Sequence, residues 1–301
     1  MKSTLLCLAT KKGHEVLKEA VACGMARSLF VSVIAEPNTA EPFDAAIREL
    51  ALSERIMVVP WSLFRDDPVA FLAERNIGAI MCIGWRYLIP RAAIEHLSGE
   101  VVVAHDSLLP KLRGFAPLPT ALIAGEEKTG VTFLRPGAAV DDGDVLWQGA
   151  VAIAPTDTIA DLIDKVCPIY REGARRYFER TLTESVPQDH SRATYSIWRD
   201  ELDYRIDWTR NAVEIERTIR ALGPPYLGAQ ALHSGQVVVV RQVEIVPDLD
   251  FAIRQPGKIW SLDSAGRPTV VCGSGLLKIT VATTREGASI LPIRGLRQRF
   301  S

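Results

Sequence analysis

The sequence has few cysteines, almost no net charge and no long apolar run. Its cysteines are odd in number, widely scattered and without a Cys-x-x-Cys pair: Cys7, Cys23, Cys82, Cys167 and Cys272. Disulfides and a structural zinc site are therefore not expected. A net charge of −1 provides no overall positive field for nucleic acid. No segment approaches the roughly 18 apolar residues of a membrane span, and the amino-terminal run is too short for a signal peptide, so we expect a cytoplasmic protein.

The 301 residues have an ordinary globular composition, 48% hydrophobic and 24% charged, and are enough for two domains. In the first part of the chain, short apolar runs alternate with amphipathic stretches, which is typical of an α/β protein with a parallel, Rossmann-like sheet. The runs are 3–9, 30–34, 56–59 and 77–83. Lys11-Lys12-Gly13 follows the first run, but no G-x-G-x-x-G or Walker pattern is present, and we predict a solvated turn there.

The β-branched run that begins at Val101 predicts a strand buried on both faces of the parallel sheet. His105 is the first residue after that run, at the edge where open α/β sheets place their ligands. A second strand, 130–135, leads into the acidic loop that begins at Asp141. If the two strands are neighbours, a histidine and a carboxylate meet, which is a usable proton-transfer pair. Each feature taken alone is more often an ordinary loop residue or a solvated turn.

A longer pattern surrounds these residues. Along the chain it runs His105-Asp-Ser-Leu-Leu-Pro110-Lys-Leu-Arg-Gly114, Ala116-Pro117, Ala121-Leu-Ile-Ala-Gly125-Glu, Thr129-Gly-Val-Thr132 and Val140-Asp141-Asp-Gly-Asp144-Val. It resembles the signature of the formyltransferases that use 10-formyltetrahydrofolate. That family includes methionyl-tRNA formyltransferase, glycinamide ribonucleotide formyltransferase and the N-formyltransferases of nucleotide-linked amino sugars. The resemblance implies that His105 and Asp141 are the catalytic histidine and aspartate.

The chain departs from the family at Val103, where the Asn-x-His motif has asparagine. In the family's mechanism the asparagine donates a hydrogen bond to the formyl oxygen as the tetrahedral intermediate forms. One such donor typically supplies about 2.7–4 kcal/mol of transition-state stabilisation. Valine cannot donate. Three alternatives follow: a backbone amide or the Ser107 hydroxyl takes over, another group is transferred, or the enzyme is slow.

The resemblance also implies a co-substrate, 10-formyltetrahydrofolate, and no metal. The segment Gly84 to Pro90 is expected to form one wall of the pterin pocket, although from its residues alone it is as readily part of the core. The expected cofactor-binding residues are Trp85, Tyr87, Leu88, Ile89, Val103, Val140, Asp141 and Asp144.

Beyond Asp144, the sequence predicts a strand at 145–153 and a helix that starts in Pro155-Thr-Asp-Thr158, is capped by Thr156 or Asp157, and ends near Thr181. We assign 1–184 to a formyltransferase domain, 185–207 to a linker and 208–301 to a small carboxyl-terminal domain. The last contains one helix and several short strands, resembling the OB-like β-barrel domain shared by the tRNA and sugar enzymes. These elements are expected at 212–222, near Ala229, and at 237–243, 257–262, 269–272 and 276–281.

The acceptor must be inferred from less specific features. In the tRNA enzymes the loop after the second strand is long and basic, because it grips phosphates. Here the corresponding residues, 35–44, are few and acidic, which argues against tRNA as the partner. The segment from Tyr195 to Trp208 is rich in aromatic residues and arginine, which suit sugar rings, bases and diphosphates, although an interdomain brace is an equal alternative. The predicted substrate-binding residues are Lys111, Arg113, Gly114, Tyr195, Trp198 and Arg199.

We therefore predict an N-formyltransferase that moves a formyl group from 10-formyltetrahydrofolate to the amine of a small acceptor, in particular a nucleotide-linked amino sugar. A homodimer is compatible with this assignment. The alternatives are a methionyl-tRNA formyltransferase and a folate- or nucleotide-binding relative that has lost catalysis.

Overall fold

The computed structural model describes residues 2–36 and 39–301, and the chain divides into two compact units. The first unit contains the residues up to Pro117, Lys128–Ala152 and Leu162–Ser196; the second contains Leu118–Glu127, Ile153–Asp161 and Ile197–Ser301. Within the described ranges, no helix is both long and apolar enough to cross a membrane. The boundaries that we assigned from the sequence, after 184 and 207, stay a prediction.

The first unit is built on a seven-stranded sheet of order β3-β2-β1-β4-β5-β7-β8, beside a short parallel pair, β6 and β9. The strands are β1 (Ser3–Leu8), β2 (Leu29–Val33), β3 (Met57–Val58), β4 (Ile77–Ile83), β5 (Val101–His105), β6 (Arg113–Gly114), β7 (Lys128–Leu134), β8 (Val145–Ala152) and β9 (Tyr195–Ser196). The predicted strands are thus confirmed in position. β1 and β4 lie at the centre of the parallel part, and their apolar side chains are almost entirely buried.

The direction of the last two strands differs from the prediction. β5 is parallel to β4, but β7 runs antiparallel to β5, and β8 antiparallel to β7. The sheet is therefore mixed rather than wholly parallel. β7 is buried on both faces, and such a strand has the same apolar sequence in either direction, so its pattern could not show this.

Most of the helices lie between strands of the seven-stranded sheet along the chain, and the last belongs to the second unit. They are α1 (Thr10–Ala22), α2 (Asp44–Ser53), α3 (Trp61–Asp66), α4 (Pro68–Glu74), α5 (Arg91–His96), α6 (Pro117–Ala124), α7 (Ile159–Phe178) and α8 (Ala212–Leu222). The solvated turn predicted at Lys11-Lys12-Gly13 is wrong, because these residues form the first turn of α1 and Lys12 is only 7% exposed.

Helix α7 begins with a reciprocal cap at Thr158. The Thr158 hydroxyl accepts from the backbone N–H of Asp161 at 3.3 Å, and the Asp161 carboxylate accepts from the N–H of Thr158 at 2.9 Å. This arrangement is a capping box. The predicted caps, Thr156 and Asp157, are therefore wrong; the Asp157 carboxylate instead accepts from the N–H of Ala154.

The residues before Ser196, which we took as part of a linker, are paired with the first unit. Val186 and Val145 exchange two backbone hydrogen bonds of 2.8 Å. β9 then pairs with β6, with Tyr195 opposite Arg113 and Ser196 opposite Gly114. This segment consequently has a fixed position beside the loop that follows β5.

The second unit contains α8, capped by the Asn211 side chain, and a five-stranded antiparallel sheet of order β10-β11-β14-β13-β12. Its strands are β10 (Ala229–His233), β11 (Gln236–Val246), β12 (Ile259–Leu262), β13 (Pro268–Val271) and β14 (Leu276–Thr284). Residues 298–301 hydrogen-bond both edge strands: Ser301 pairs with Leu232 of β10, and Gln298 accepts from Ile259 of β12. The predicted elements are confirmed, whereas barrel closure stays a prediction.

Candidate active site

His105 is the last residue of β5 and is 7% exposed. Its Nε2 lies 2.8 Å from the carbonyl oxygen of Leu112, in the loop that folds back over the strand end. A carbonyl oxygen only accepts, so this nitrogen carries a proton. Nδ1 faces the Asp141 carboxylate, 3.3 Å from Oδ2. The predicted histidine and aspartate therefore meet.

The loop after His105 is held by side chains from the two antiparallel strands. The Thr132 hydroxyl donates to the carbonyl of Ser107 at 2.6 Å and accepts from the N–H of Leu109 at 3.1 Å. Gln148 donates to the Leu109 carbonyl and to Thr132. The Ser107 hydroxyl, considered above as a substitute oxyanion donor, donates instead to the carbonyl of Lys111 at 2.6 Å. Ser107 therefore does not supply the hydrogen bond that Val103 lacks.

Asp141 has a left-handed backbone conformation, with φ of +53°. Its Oδ2 accepts from the backbone N–H of Gly114 at 2.9 Å, so one carboxylate oxygen faces both this amide and the histidine. Gly114 has φ of +97°, and a Cβ there would lie 2.4 Å from the carbonyl oxygen of Ser196. Only glycine fits this position. Gly114 thus holds the aspartate through its amide, a role that the substrate-binding assignment did not include.

Arg113 has its guanidinium turned into the protein and is 3% exposed. Nε and Nη2 donate to Oε1 of Gln188 at 3.1 and 2.7 Å, and Nη2 also lies 3.1 Å from Nδ1 of His190. The hydrogen bonds of Arg113 are thus made inside the protein, and its predicted role in substrate binding stays a prediction. Gln188 was missed, since it lies in a segment taken as a linker.

The predicted pterin wall is part of an aromatic cluster. Trp61, at the start of α3, stacks on Tyr87 with a centroid distance of 6.0 Å and an interplanar angle of 12°. Trp85 makes edge contacts with both, at 4.9 Å from Trp61 and 5.9 Å from Tyr87. Its indole Nε1 is buried and has no hydrogen-bond partner. Trp61 was missed because a lone aromatic residue at a helix start has no distinguishing sequence pattern.

Val103 lies in β5 opposite Cys82 of β4 and Leu134 of β7. Its side chain is partly buried against the apolar cluster that also contacts Trp85 and Ile89. Val103 and Trp85 thus pack against the same apolar cluster, at the position that the resemblance pairs with asparagine.

The remaining predicted folate contacts differ in exposure. Leu88 and Val140 are exposed, whereas the Asp144 carboxylate accepts from the Ser185 hydroxyl at 3.2 Å. The Asp144 backbone carbonyl accepts from the N–H of Arg135, which closes the acidic loop. Asp144 therefore shapes the loop that carries Asp141.

A largely buried ionic cluster contains the residue that follows His105. The Lys12 ammonium donates to Oδ2 of Asp106 at 2.5 Å, and the Tyr170 hydroxyl donates to Oδ1 at 2.9 Å. Asp106 directly follows His105. Burial raises the pKa of the Tyr170 hydroxyl well above its ordinary value, so the group remains a donor. The sequence did not reveal this cluster.

The other predicted substrate residues are distributed over both units. In the first, Lys111 is exposed and Tyr195 is 69% exposed. In the second, Trp198 is 61% exposed, and Arg199 donates from Nη2 to the Thr120 hydroxyl at 2.8 Å. Burial lowers the pKa of the Arg199 guanidinium. In the described ranges, no group of three or more His, Cys, Asp or Glu side chains is placed to hold a metal ion.

Comparison with known proteins assigns the chain. Residues 26–173 match the formyl transferase family model, and residues 200–299 match the formyl transferase carboxyl-terminal domain. Methionyl-tRNA formyltransferase of Dechloromonas aromatica (strain RCB) is 32% identical over 254 residues, which are 83% of this chain and 80% of that protein. The chain belongs to the formyltransferase family. The family predicted from the sequence, and with it a one-carbon transferase enzyme, is confirmed.

Two solved structures share the fold of this formyltransferase. A sugar 3N-formyltransferase, WlaRD, in the presence of dTDP and 5-N-formyl-THF has a TM-score of 0.69 at 15% identity, over 97% of this chain and 99% of that one. An N-formyltransferase from Helicobacter canadensis, in complex with folinic acid and dTDP-3-aminofucose, has a TM-score of 0.66 at 15% identity, over 93% and 98% of the two chains.

Proposed function

We propose that this formyltransferase moves a formyl group from 10-formyltetrahydrofolate to the amine of a nucleotide-linked amino sugar. The observation that supports it most is the pairing of His105 with Asp141 at the end of β5, with Nδ1 3.3 Å from Oδ2. An imidazole next to an oriented carboxylate is suited to take up the proton of an attacking amine near neutral pH.

In the proposed reaction the free amine attacks the formyl carbon, and a carbon–nitrogen bond forms. The His105–Asp141 pair takes the proton that the amine must lose and stabilises the charge on the tetrahedral intermediate. The bond between the formyl carbon and N10 then breaks, and the proton passes to N10 as tetrahydrofolate departs. Gly114 keeps Asp141 in position through its N–H during these steps.

The aromatic cluster is the proposed folate-binding wall. Trp85 and Ile89 pack towards the core with Val103, while Tyr87 is half exposed and stacked on Trp61. Flat aromatic faces match a pterin or benzoyl ring. The two sugar enzymes of similar fold are solved with reduced formyl folates. They support the same type of co-substrate here.

The acceptor assignment rests on charge. The loop after β2 contains Glu36, Glu41 and Asp44 where a tRNA enzyme needs cations; its residues 37 and 38 lie outside the described residues. Burial raises the pKa of Glu36, although Lys12 and Arg86 oppose this. Exposed Tyr195 and Trp198 offer stacking faces to a sugar or a base, each within its own unit.

Methionyl-tRNA formyltransferase is the second candidate, because relatives with about 32% identity carry that name. The deciding experiment incubates the protein with labelled 10-formyltetrahydrofolate and either a panel of nucleotide-linked amino sugars or Met-tRNA. The proposal requires label in an amide of one of the sugars. Label in Met-tRNA alone would establish the second candidate, and label in neither would reject both acceptors.

A further inference from the structure

We infer that Gln188, oriented by Arg113, is a positioning residue for Asp141. This inference rests on the proposed function, in which Asp141 is catalytic. Gln188 is 8% exposed and lies in the segment that joins α7 to β9. Nothing in its surrounding sequence connects it with the acidic loop.

The amide of Gln188 is saturated by polar partners. Its Oε1 accepts two hydrogen bonds from Arg113, at 3.1 Å from Nε and 2.7 Å from Nη2. Its Nε2 donates to the backbone carbonyls of Asp141, at 2.9 Å, and Gly143, at 2.7 Å. A guanidinium only donates and a carbonyl only accepts, so the amide fits in one orientation. Arg113 therefore directs the Gln188 N–H groups at the acidic loop.

The acidic loop needs such support. Asp141 has φ of +53°, a left-handed conformation that is less favourable than the right-handed one for a residue with a Cβ, although aspartate tolerates it better than most. The two bonds from Gln188 hold the loop backbone on either side of residue 142. If they are lost, the loop can relax, and the carboxylate then leaves the amide of Gly114 and the ring of His105.

The scaffold that holds Gln188 is itself anchored on both sides. Before it, Val186 exchanges two backbone hydrogen bonds with Val145; after it, β9 pairs with β6. Arg113 lies in β6, next to Gly114, whose N–H binds the Asp141 carboxylate. Asp141 is thus held at its backbone by Gln188, which precedes β9, and at its side chain by Gly114 of β6.

The first test compares Gln188→Ala with Gln188→Glu. Glutamate keeps the contact with Arg113, but its second carboxylate oxygen can only accept. It therefore cannot replace the two hydrogen bonds that Gln188 donates to the carbonyls of Asp141 and Gly143. We expect kcat to fall about tenfold to a hundredfold in both variants, as for a misplaced catalytic group. KM for each substrate should stay within about twofold, because only the transition state loses stabilisation. Full activity of Gln188→Glu would overturn the inference, since it would show that only the contact with Arg113 matters.

The matched control is Gln230→Ala in the second unit. Gln230 is 5% exposed and accepts from Nη2 of Arg285 at 3.0 Å, so it is another buried glutamine bonded to arginine. It should lose stability to a similar extent and keep its kcat. An equal fall in kcat in this control would contradict a specific role for Gln188.

The second readout does not need turnover. Amide hydrogen exchange of Gly114 reports its bond to the Asp141 carboxylate, and the amides of Val145 and Val186 report the neighbouring pairing. In Gln188→Ala, exchange at Gly114 should accelerate at least about tenfold with no change at the two valines. Unchanged exchange at Gly114, or equal acceleration at all three amides, would overturn the inference. If the wild type transfers no formyl group, the proposed function fails. The exchange result still shows whether Gln188 positions the Asp141 carboxylate.

Discussion

Replacing Val103 by asparagine tests the expectation, drawn from the resemblance, that an asparagine at this position assists catalysis. Val103 lies two residues before His105 in β5, so by the period of a strand the two side chains share a face. If the group transferred is formyl, Val103→Asn supplies a donor to the developing oxyanion. One such donor is worth about 2.7–4 kcal/mol, and kcat should rise by up to about a hundredfold to a thousandfold.

The same substitution is also expected to lower the free energy of unfolding. The Val103 side chain packs against an apolar cluster that includes Cys82 and Val101, and Trp85 packs against the same cluster. An amide that finds no partner there lowers the free energy of unfolding by about 1–3 kcal/mol. Urea unfolding followed by tryptophan fluorescence measures this loss, and kcat is measured at saturating folate donor with the best acceptor.

Val103→Ala is the control for the added space, since it shortens the side chain without adding a donor. It should not be faster than the wild type. If Val103→Asn is folded, binds folate and is still no faster, the oxyanion-donor argument is refuted. The valine then belongs to a site with a relocated donor or a different transferred group.

Three further predictions concern the ionic groups and the acceptor. Asp106→Asn leaves the buried Lys12 ammonium without its carboxylate, and it should lower the free energy of unfolding by about 3 kcal/mol, measured in urea. For Glu19, hydrogen bonds from Arg175 and then Arg171 lower the carboxyl pKa, so its contribution is complete at neutral pH and lost as the pH falls below the ordinary value. Glu19→Gln should therefore destabilise by about 1–2 kcal/mol at pH 7 and show little difference from the wild type near pH 3. Binding to initiator tRNA should be weak, with a salt dependence equivalent to only about one or two phosphates.

Each of these has a contradicting result. An exposed pair, Arg91 with Glu95, is the control for Asp106→Asn: Glu95→Gln should change stability by less than about 0.5 kcal/mol. If Asp106→Asn and Glu95→Gln lower the free energy of unfolding equally, burial is not the reason that the Lys12–Asp106 pair matters. A Glu19→Gln deficit that persists unchanged near pH 3 would show that charge is not its cause. Submicromolar tRNA binding at physiological salt would contradict the acceptor assignment.

The sequence was sufficient to predict the strands and the meeting of His105 with Asp141. Both predictions depend on local patterns, namely apolar runs and a motif, together with the rule that ligands gather where parallel strands end. The rule served even though β7 is antiparallel, because the loop after it returns to the end of β5 and brings Asp141 to His105.

The features that were missed depend on partners far apart in the chain. Lys12 looked like a solvated lysine because its partner, Asp106, is 94 residues away. Gln188 was missed because its partner, Arg113, is 75 residues away along the chain. The sequence alone does not show that a charged side chain is buried, because burial depends on an oppositely charged or hydrogen-bonding partner elsewhere in the chain. Such pairs require the tertiary structure.

The central claim is that His105 and Asp141 transfer a formyl group, and its most direct measurement is single-turnover transfer of labelled formyl from 10-formyltetrahydrofolate to the best amino-sugar acceptor. Wild type, His105→Ala and Asp141→Asn are compared, with the affinity for 5-formyltetrahydrofolate measured beside each rate. We predict transfer by the wild type and a loss of at least about a hundredfold in both variants, with folate affinity nearly unchanged. Undiminished transfer by both variants, or no transfer by the wild type to any amine, would contradict the claim.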